Sequence, residues 1–137
     1  MNHKETQSYI FELPIKVREY ELDAEGIVNN ANYLHYLELT RHEFCELAGI
    51  PFKDMQDVGI IPVLSRAEID YITPLRAGDT MISRLNLERR GPRFIFKQDI
   101  FKNDGTPVIR AIITVVTLEN DKLSRGDRLA EYFKQWI

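Results

Sequence analysis

The chain holds 137 residues, 44% hydrophobic and 28% charged, with a formal net charge of -3 at pH 7. This predicts one soluble globular domain that buries its own core, and the acidic balance argues against nucleic-acid binding, which needs a cationic surface. Cys45 is the single cysteine, which excludes an intrachain disulfide, and neither a signal-peptide core nor an apolar run of about 18 residues occurs; a cytoplasmic protein without membrane insertion is expected.

In chain order, residues 9–22 alternate β-branched or aromatic residues with charges, which predicts a strand. Ile15, Val17 and Glu19 fall on one face and Lys16, Arg18 and Tyr20 on the other, while Pro14 points to an edge position. A polar break follows, then a helix whose apolar stripe is Tyr33, Leu37, Thr40, Phe44 and Leu47. Asn29 or Asn30 suits its N-cap, Gly49 closes it, and Pro51 prevents its resumption. Four strands are expected next, over residues 60–75, 79–90, 93–101 and 107–119, separated by Gly-Asp, Gly-Pro and Asn-Asp-Gly turns. The last is the most apolar and is placed at the centre of the sheet. A short terminal helix over about residues 126–136 turns Leu129, Tyr132, Phe133 and Trp136 to one side. One long helix with an antiparallel sheet makes a single α+β domain over 1–137, with its core in about 10–120.

The break before the helix is unusually polar. ELDAEGIVNNANYLHYLE, Glu21 to Glu38, sets one aspartate, one glycine and three asparagines ahead of the helical aromatics. By itself Asp23 reads as a turn former, through hydrogen bonds from its side chain to nearby backbone. The helix start behind it offers unpaired N–H groups and the positive end of the helix dipole, a setting suited to an anion. ERRGPRF adds Arg89, Arg90 and Arg93 around a Gly-Pro turn, where guanidiniums can hold phosphates or simply face water. His3, His35 and His42 form no metal-binding pattern, and Cys45 reads as a packed residue within the helix, so no metal or cofactor is expected. The P-loop, the dinucleotide fingerprint and the G-x-S-x-G elbow are absent from the sequence.

Asp23, Gly26, Val28 and Tyr33 fit the pattern D-x-x-G-x-V-x-x-x-x-Y. With it, the chain resembles the 4-hydroxybenzoyl-CoA thioesterase-like branch of acyl thioesterases. GIVNNANY followed by RHEF is similar to acyl-ACP and acyl-lipid thioesterases, including plant methylketone-synthase-type enzymes, and IDYITPLRAGD resembles the family's second strand and turn. The likeness spans roughly residues 17–119. It implies the hotdog fold, a curved antiparallel sheet wrapped around one central helix, and hydrolysis of acyl-CoA or acyl-ACP.

The resemblance implies Asp23 as general base or nucleophile and the Asn30 backbone N–H at the thioester carbonyl, with Gly26 permitting close backbone approach. Asn29, Asn32 and Tyr33 would line or brace the site beside Val28, Tyr33 mainly as packing. Arg89, Arg90 and Arg93, with Ser65 and Arg66 as weaker candidates, would hold the phosphates of coenzyme A or phosphopantetheine. A homodimer or homotetramer is implied, with the site between subunits and arginines supplied across the interface. Some bacterial relatives carry Tyr-His where this chain has Asn29-Asn30, so Asp23 lacks an adjacent imidazole here. Glu38, a helix carboxylate of the kind a sister branch uses, lies beside the apolar stripe and is expected at the surface or an interface. Two alternatives stand: a hotdog dehydratase acting on hydroxyacyl thioesters, and a non-catalytic module that binds acyl-CoA or a carrier protein.

Overall fold

The structure, a computed structural model, describes residues 8–137; His3 lies outside them. The elements run β1 (Phe11–Lys16), α1 (Asn30–Leu47), α2 (Phe52–Asp57), β2 (Ile61–Tyr71), β3 (Thr80–Arg90), β4 (Arg93–Lys102), β5 (Pro107–Glu119), β6 (Lys122–Leu123) and α3 (Asp127–Phe133). The main strands pair antiparallel in the order β1-β3-β4-β5-β2, and β6 adds to β5. The α+β class and the four strands after the helix match the pattern read from the sequence.

Alternation decides which face of the sheet is buried. In β3 and β4 every second residue is buried, with Met81, Leu85, Phe94 and Ile100 fully enclosed. These residues meet the apolar stripe of α1, where Tyr33, Leu37, Thr40 and Phe44 are buried. Phe44 is the hub, with the rings of Phe11, Phe96, Phe133 and Trp136 centred 5.1 to 6.5 Å from its own. Buried polar bonds pin the helix to the sheet at two further points. Thr40 Oγ1 lies 2.6 Å from Ser83 Oγ, and Gln98 Nε2 donates to the Leu37 carbonyl at 3.0 Å.

Several expectations need correction. Leu47 is 59% exposed although Phe44 and Cys45 in the same turn are buried, so the inward stripe ends at Cys45. The first strand stops at Lys16; Glu19–Glu21 coil into a 3-10 turn, so Glu19 does not continue the inward face of Ile15 and Val17. Pro51 does not stop helical structure but caps α2, where its fixed φ and missing N–H cost nothing. The strand at the middle of the order is β4, with β5 one place off centre. The last helix is shorter than expected, and Tyr132 is 37% exposed, while Leu129 and Phe133 are buried and Trp136 packs on the core. At its N-cap, Gly126 has φ of 81°, and a Cβ there would come within 2.8 Å of Phe94; the helix docks closely only because this residue is glycine.

The two edges of the sheet differ. β1 carries Pro14 and turns alternate residues inward. β2 is exposed along most of its length, including Ile61, Val63, Leu64 and Tyr71. Its register breaks between Leu64 and Arg66, so Ser65 is the extra residue of a bulge that changes which side chains face α1.

Candidate active site

The polar segment before α1 folds as a small hairpin on the helix start. Leu22 and Val28 pair as an antiparallel bridge, and the Asp23 N–H donates to the Ile27 carbonyl at 2.8 Å. Asp23 Oδ1 accepts from the Glu25 N–H at 2.9 Å and, more weakly, from the Ile27 N–H at 3.4 Å. Asp23 is thus the turn former its residue type suggests. Only one carboxylate oxygen does that work, and Oδ2 has no hydrogen-bond partner among the described residues. Gly26 has φ of 79°, and a Cβ there would meet nothing within 4 Å. Its left-handed backbone is the conformation that glycine adopts without strain.

The hairpin is fastened to the helix through Glu21. Its carbonyl accepts from the Asn29 N–H and from Asn32 Nδ2, both at 2.9 Å. Its carboxylate oxygen Oε1 accepts from Tyr36 Oη at 2.8 Å and from the Arg18 N–H at 2.7 Å. Burial and that acid raise the Tyr36 phenol well above its ordinary range, so it stays a donor. Glu21 and Tyr36 were not singled out in the sequence. A tyrosine on the buried stripe must place its hydroxyl somewhere, and the acid lies fifteen residues before it, too far for a local pattern to connect.

The start of α1 leaves one donor unspent. Asn29 is the N-cap, its Oδ1 accepting from the Ala31 N–H at 3.0 Å and its carbonyl from the Asn32 N–H at 2.9 Å. The Asn30 N–H, between them, has no partner among the described residues. Val28 is buried, and its N–H donates to the Leu75 carbonyl at 2.8 Å. Tyr33 is buried too, with its hydroxyl accepting from the Leu75 N–H at 3.0 Å. A cavity of about 110 Å³ opens here, lined by Val28, Asn30, Tyr33, Tyr71 and Pro74 among others. The hairpin pairing that sets Glu21 by Asn29 and Leu22 by Val28 therefore brings Asp23 to the same helix end as the free amide.

The arginines divide. Arg89 is committed to structure: its guanidinium donates to Asp127 Oδ1 at 2.7 Å and to the carbonyls of Arg125 and Gly91, and lies over the Phe94 ring. Arg90 and Arg93 line a shallow basin with Ser65, Arg66 and Lys97 across β2, β3 and β4. Glu68 and Glu88 share that basin and pair with Arg66 at 3.3 Å and Arg90 at 3.5 Å. Ser65 Oγ donates to the Thr114 carbonyl at 3.3 Å.

Glu38 is half-exposed and lies 3.9 Å from His42 Nε2. His42 stacks on Phe52 with ring centroids 3.7 Å apart, and His35 is exposed; neither belongs to the Asp23 hairpin. Cys45 is buried, and loss of water raises its thiol to about 12, which suits packing rather than reaction. Among the described residues no group of three or more His, Cys, Asp or Glu side chains is arranged to hold a metal ion. Nor, among those residues, is any helix long and apolar enough to cross a membrane.

Comparison with known proteins places the chain in a family. Residues 17–137 match the profile of the thioesterase-like superfamily. The chain is 35% identical over 115 residues to the chloroplastic acyl-acyl carrier protein thioesterase ATL3 of Arabidopsis thaliana, covering 82% of this chain and 60% of that protein. It thus spans about 60% of the length of the plant relatives it matches. Among solved structures, a hypothetical protein of Aquifex aeolicus superposes with a TM-score of 0.83 at 35% identity, covering 89% of this chain and 98% of that one. The probable thioesterase YbaW of Escherichia coli gives 0.78 at 30% identity, covering 92% and 98%. The sheet and its central helix are the hotdog fold, and the chain belongs to the thioesterase-like superfamily.

Proposed function

We propose that the protein hydrolyses acyl thioesters carried by coenzyme A or acyl carrier protein, at the junction of the Asp23 hairpin and the start of α1. The observation that supports this reading is that the loop leaves two groups without hydrogen-bond partners among the described residues, the Asn30 N–H and Asp23 Oδ2. In this reading the thioester carbonyl oxygen accepts from the Asn30 N–H, whose position at a helix start favours growing negative charge. Asp23 Oδ2 takes a proton from a water as that water attacks the carbonyl carbon. The tetrahedral intermediate then expels the thiolate, which takes up a proton to leave as the free thiol. Attack by Asp23 itself, through an acyl-aspartyl anhydride that water then opens, uses the same two groups.

The carrier's phosphates would lie against Arg66, Arg90 and Arg93, whose basin is the one place where several predicted cations converge. Arg89 is withdrawn from that role, because its donors hold α3. A homodimer built across β2 would cover its open edge and its exposed apolar side chains. Such a dimer offers a route for the arginines of one subunit to serve the Asp23 of the other. The names of the relatives support both carriers, with acyl carrier protein for the Arabidopsis protein and acyl-CoA for a putative thioesterase of Bacillus subtilis.

The test is a thiol-release screen of the purified protein across short, long and aromatic acyl-CoAs, repeated with acyl-ACPs. Release of one thiol per free acid formed is expected with at least one class. Saturable binding of the whole panel without release would overturn the reading in favour of a binding module.

A further inference from the structure

Halfway along α1 the interior holds a charge with little to balance it. Arg41 is only 9% exposed, yet its one hydrogen bond among the described residues is to the neutral Gln98 Oε1, at 3.0 Å. No described carboxylate comes within ion-pair distance of it. Glu38, the acid whose field reaches it most, is half-exposed and sits by His42 instead. A guanidinium has five donors in a planar fork, and burying it without a counter-charge is costly.

Arg41 lines a cavity of about 120 Å³ whose remaining wall is largely apolar, with Cys45, Met55, Leu64 and Phe96 among its members. That is slightly less than the roughly 150 Å³ of a cavity that accepts benzene, so it suits a carboxylate on a few methylenes. Leu64 and Glu38, both half-exposed, stand where the cavity meets the surface.

The same strand and the same helix lead from this cavity to the proposed reaction centre. Pro62 and Leu64 reach the Arg41 cavity from one end of β2, while Tyr71, at the other end, lines the cavity beside Asn30. Beyond the Ser65 bulge, Ala67, Ile69 and Tyr71 share one face of β2. Eleven residues separate Asn30 from Arg41, roughly 16 Å of helix, and the arginine side chain leans back toward the helix start. An extended chain advances about 1.25 Å per methylene by ordinary C–C geometry, so about ten to thirteen carbons bridge the two points.

We infer that Arg41 reads a carboxylate at the far end of the acyl chain, which makes long acyl thioesters tipped with a carboxylate the preferred substrates. The inference rests on the thioesterase reading for the chain's direction, but the cavity can be tested without catalysis. The same cavity chemistry would bind a free dicarboxylic acid, so the two sources are separated by assay.

The first assay compares thermal stabilisation by dodecanedioic acid and by the uncharged 1,12-dodecanediol of the same chain length. The wild type should gain more from the diacid, and Arg41→Met should lose that difference. Because Arg41→Met alters the interior, Leu64→Trp provides a second block at the cavity mouth, on a half-exposed edge-strand residue. It should also abolish the difference. The second assay measures kcat/KM for ω-carboxydodecanoyl-CoA, ω-hydroxydodecanoyl-CoA and dodecanoyl-CoA.

Tenfold or greater preference for the carboxylate, falling to near one in both variants, is expected; a diacid effect without it assigns the site to free acids and overturns the substrate claim. Equal stabilisation by the diacid and the diol, or a difference that survives Arg41→Met, overturns the site itself. Loss of thiol release from every substrate with the diacid effect intact would refute the thioesterase reading alone.

Discussion

The two ends of α1 treat unspent hydrogen-bonding groups in opposite ways. At its start the free Asn30 N–H and Asp23 Oδ2 lie in a partly exposed loop, where water can serve them at little cost. Deeper along the helix, Arg41 is enclosed and has a single hydrogen bond among the described residues, so each idle donor carries a desolvation cost. A reactive centre can be assembled cheaply at the open end. At the closed end, stability rests on packing around Phe44 and on two polar pins to the sheet.

That contrast is broken most severely by Phe44→Ala. The ring is fully buried among four others, and its removal should cost about 3–5 kcal/mol in denaturant unfolding. A loss under 1 kcal/mol would mean that the closed end is not the keystone described here. Asn29→Ala at the open end removes the cap on the Ala31 N–H and should cost about 1 kcal/mol. It should lower kcat by more than that stability change suggests, because the Asn29 side chain holds the Ala31 N–H beside the proposed oxyanion site. Proportionate losses would assign Asn29 to folding only.

The smallest effect concerns pH. Burial holds the His42 imidazole below its ordinary value of 6.5, so the unfolded chain takes up this proton first as pH falls. The stability this contributes is complete above about 6.5 and is lost as pH drops through the lower folded value. Urea midpoints should therefore decline between pH 7 and 5, and the decline should be shallower in His42→Gln. Parallel declines would remove His42 from the account.

What the sequence disclosed follows the range of each interaction. The strands β2 to β5 are bounded by Gly-Asp, Gly-Pro and Asp-Gly turns and by alternation, all local signals, and their ends were legible to within a few residues. The six residues of α2 and the two of β6 carry too little periodicity to stand out. The order of the sheet was not legible, because β1 pairs with β3 across α1, α2 and β2.

At the site, Asp23 and the Asn29 cap were visible as residue types. Their meeting depends on the Leu22–Val28 bridge and on the Glu21 carbonyl, which leave no mark in composition. Strand parity would have separated Arg89 from Arg90, since neighbours in β3 face opposite ways. The row Leu37, Arg41, Cys45 would likewise have flagged a cation on a buried helix face.

The central claim is that Asp23 holds the hairpin with one oxygen and does chemistry with the other. Asp23→Asn separates these functions, because the amide oxygen can still accept from the Glu25 N–H while the base is lost. The direct measurement is kcat/KM for thiol release by this variant, on the best substrate of the screen, beside its unfolding midpoint. The account predicts a fall of about 10²–10⁴-fold with the midpoint nearly unchanged. Wild-type turnover by a folded Asp23→Asn protein would contradict it.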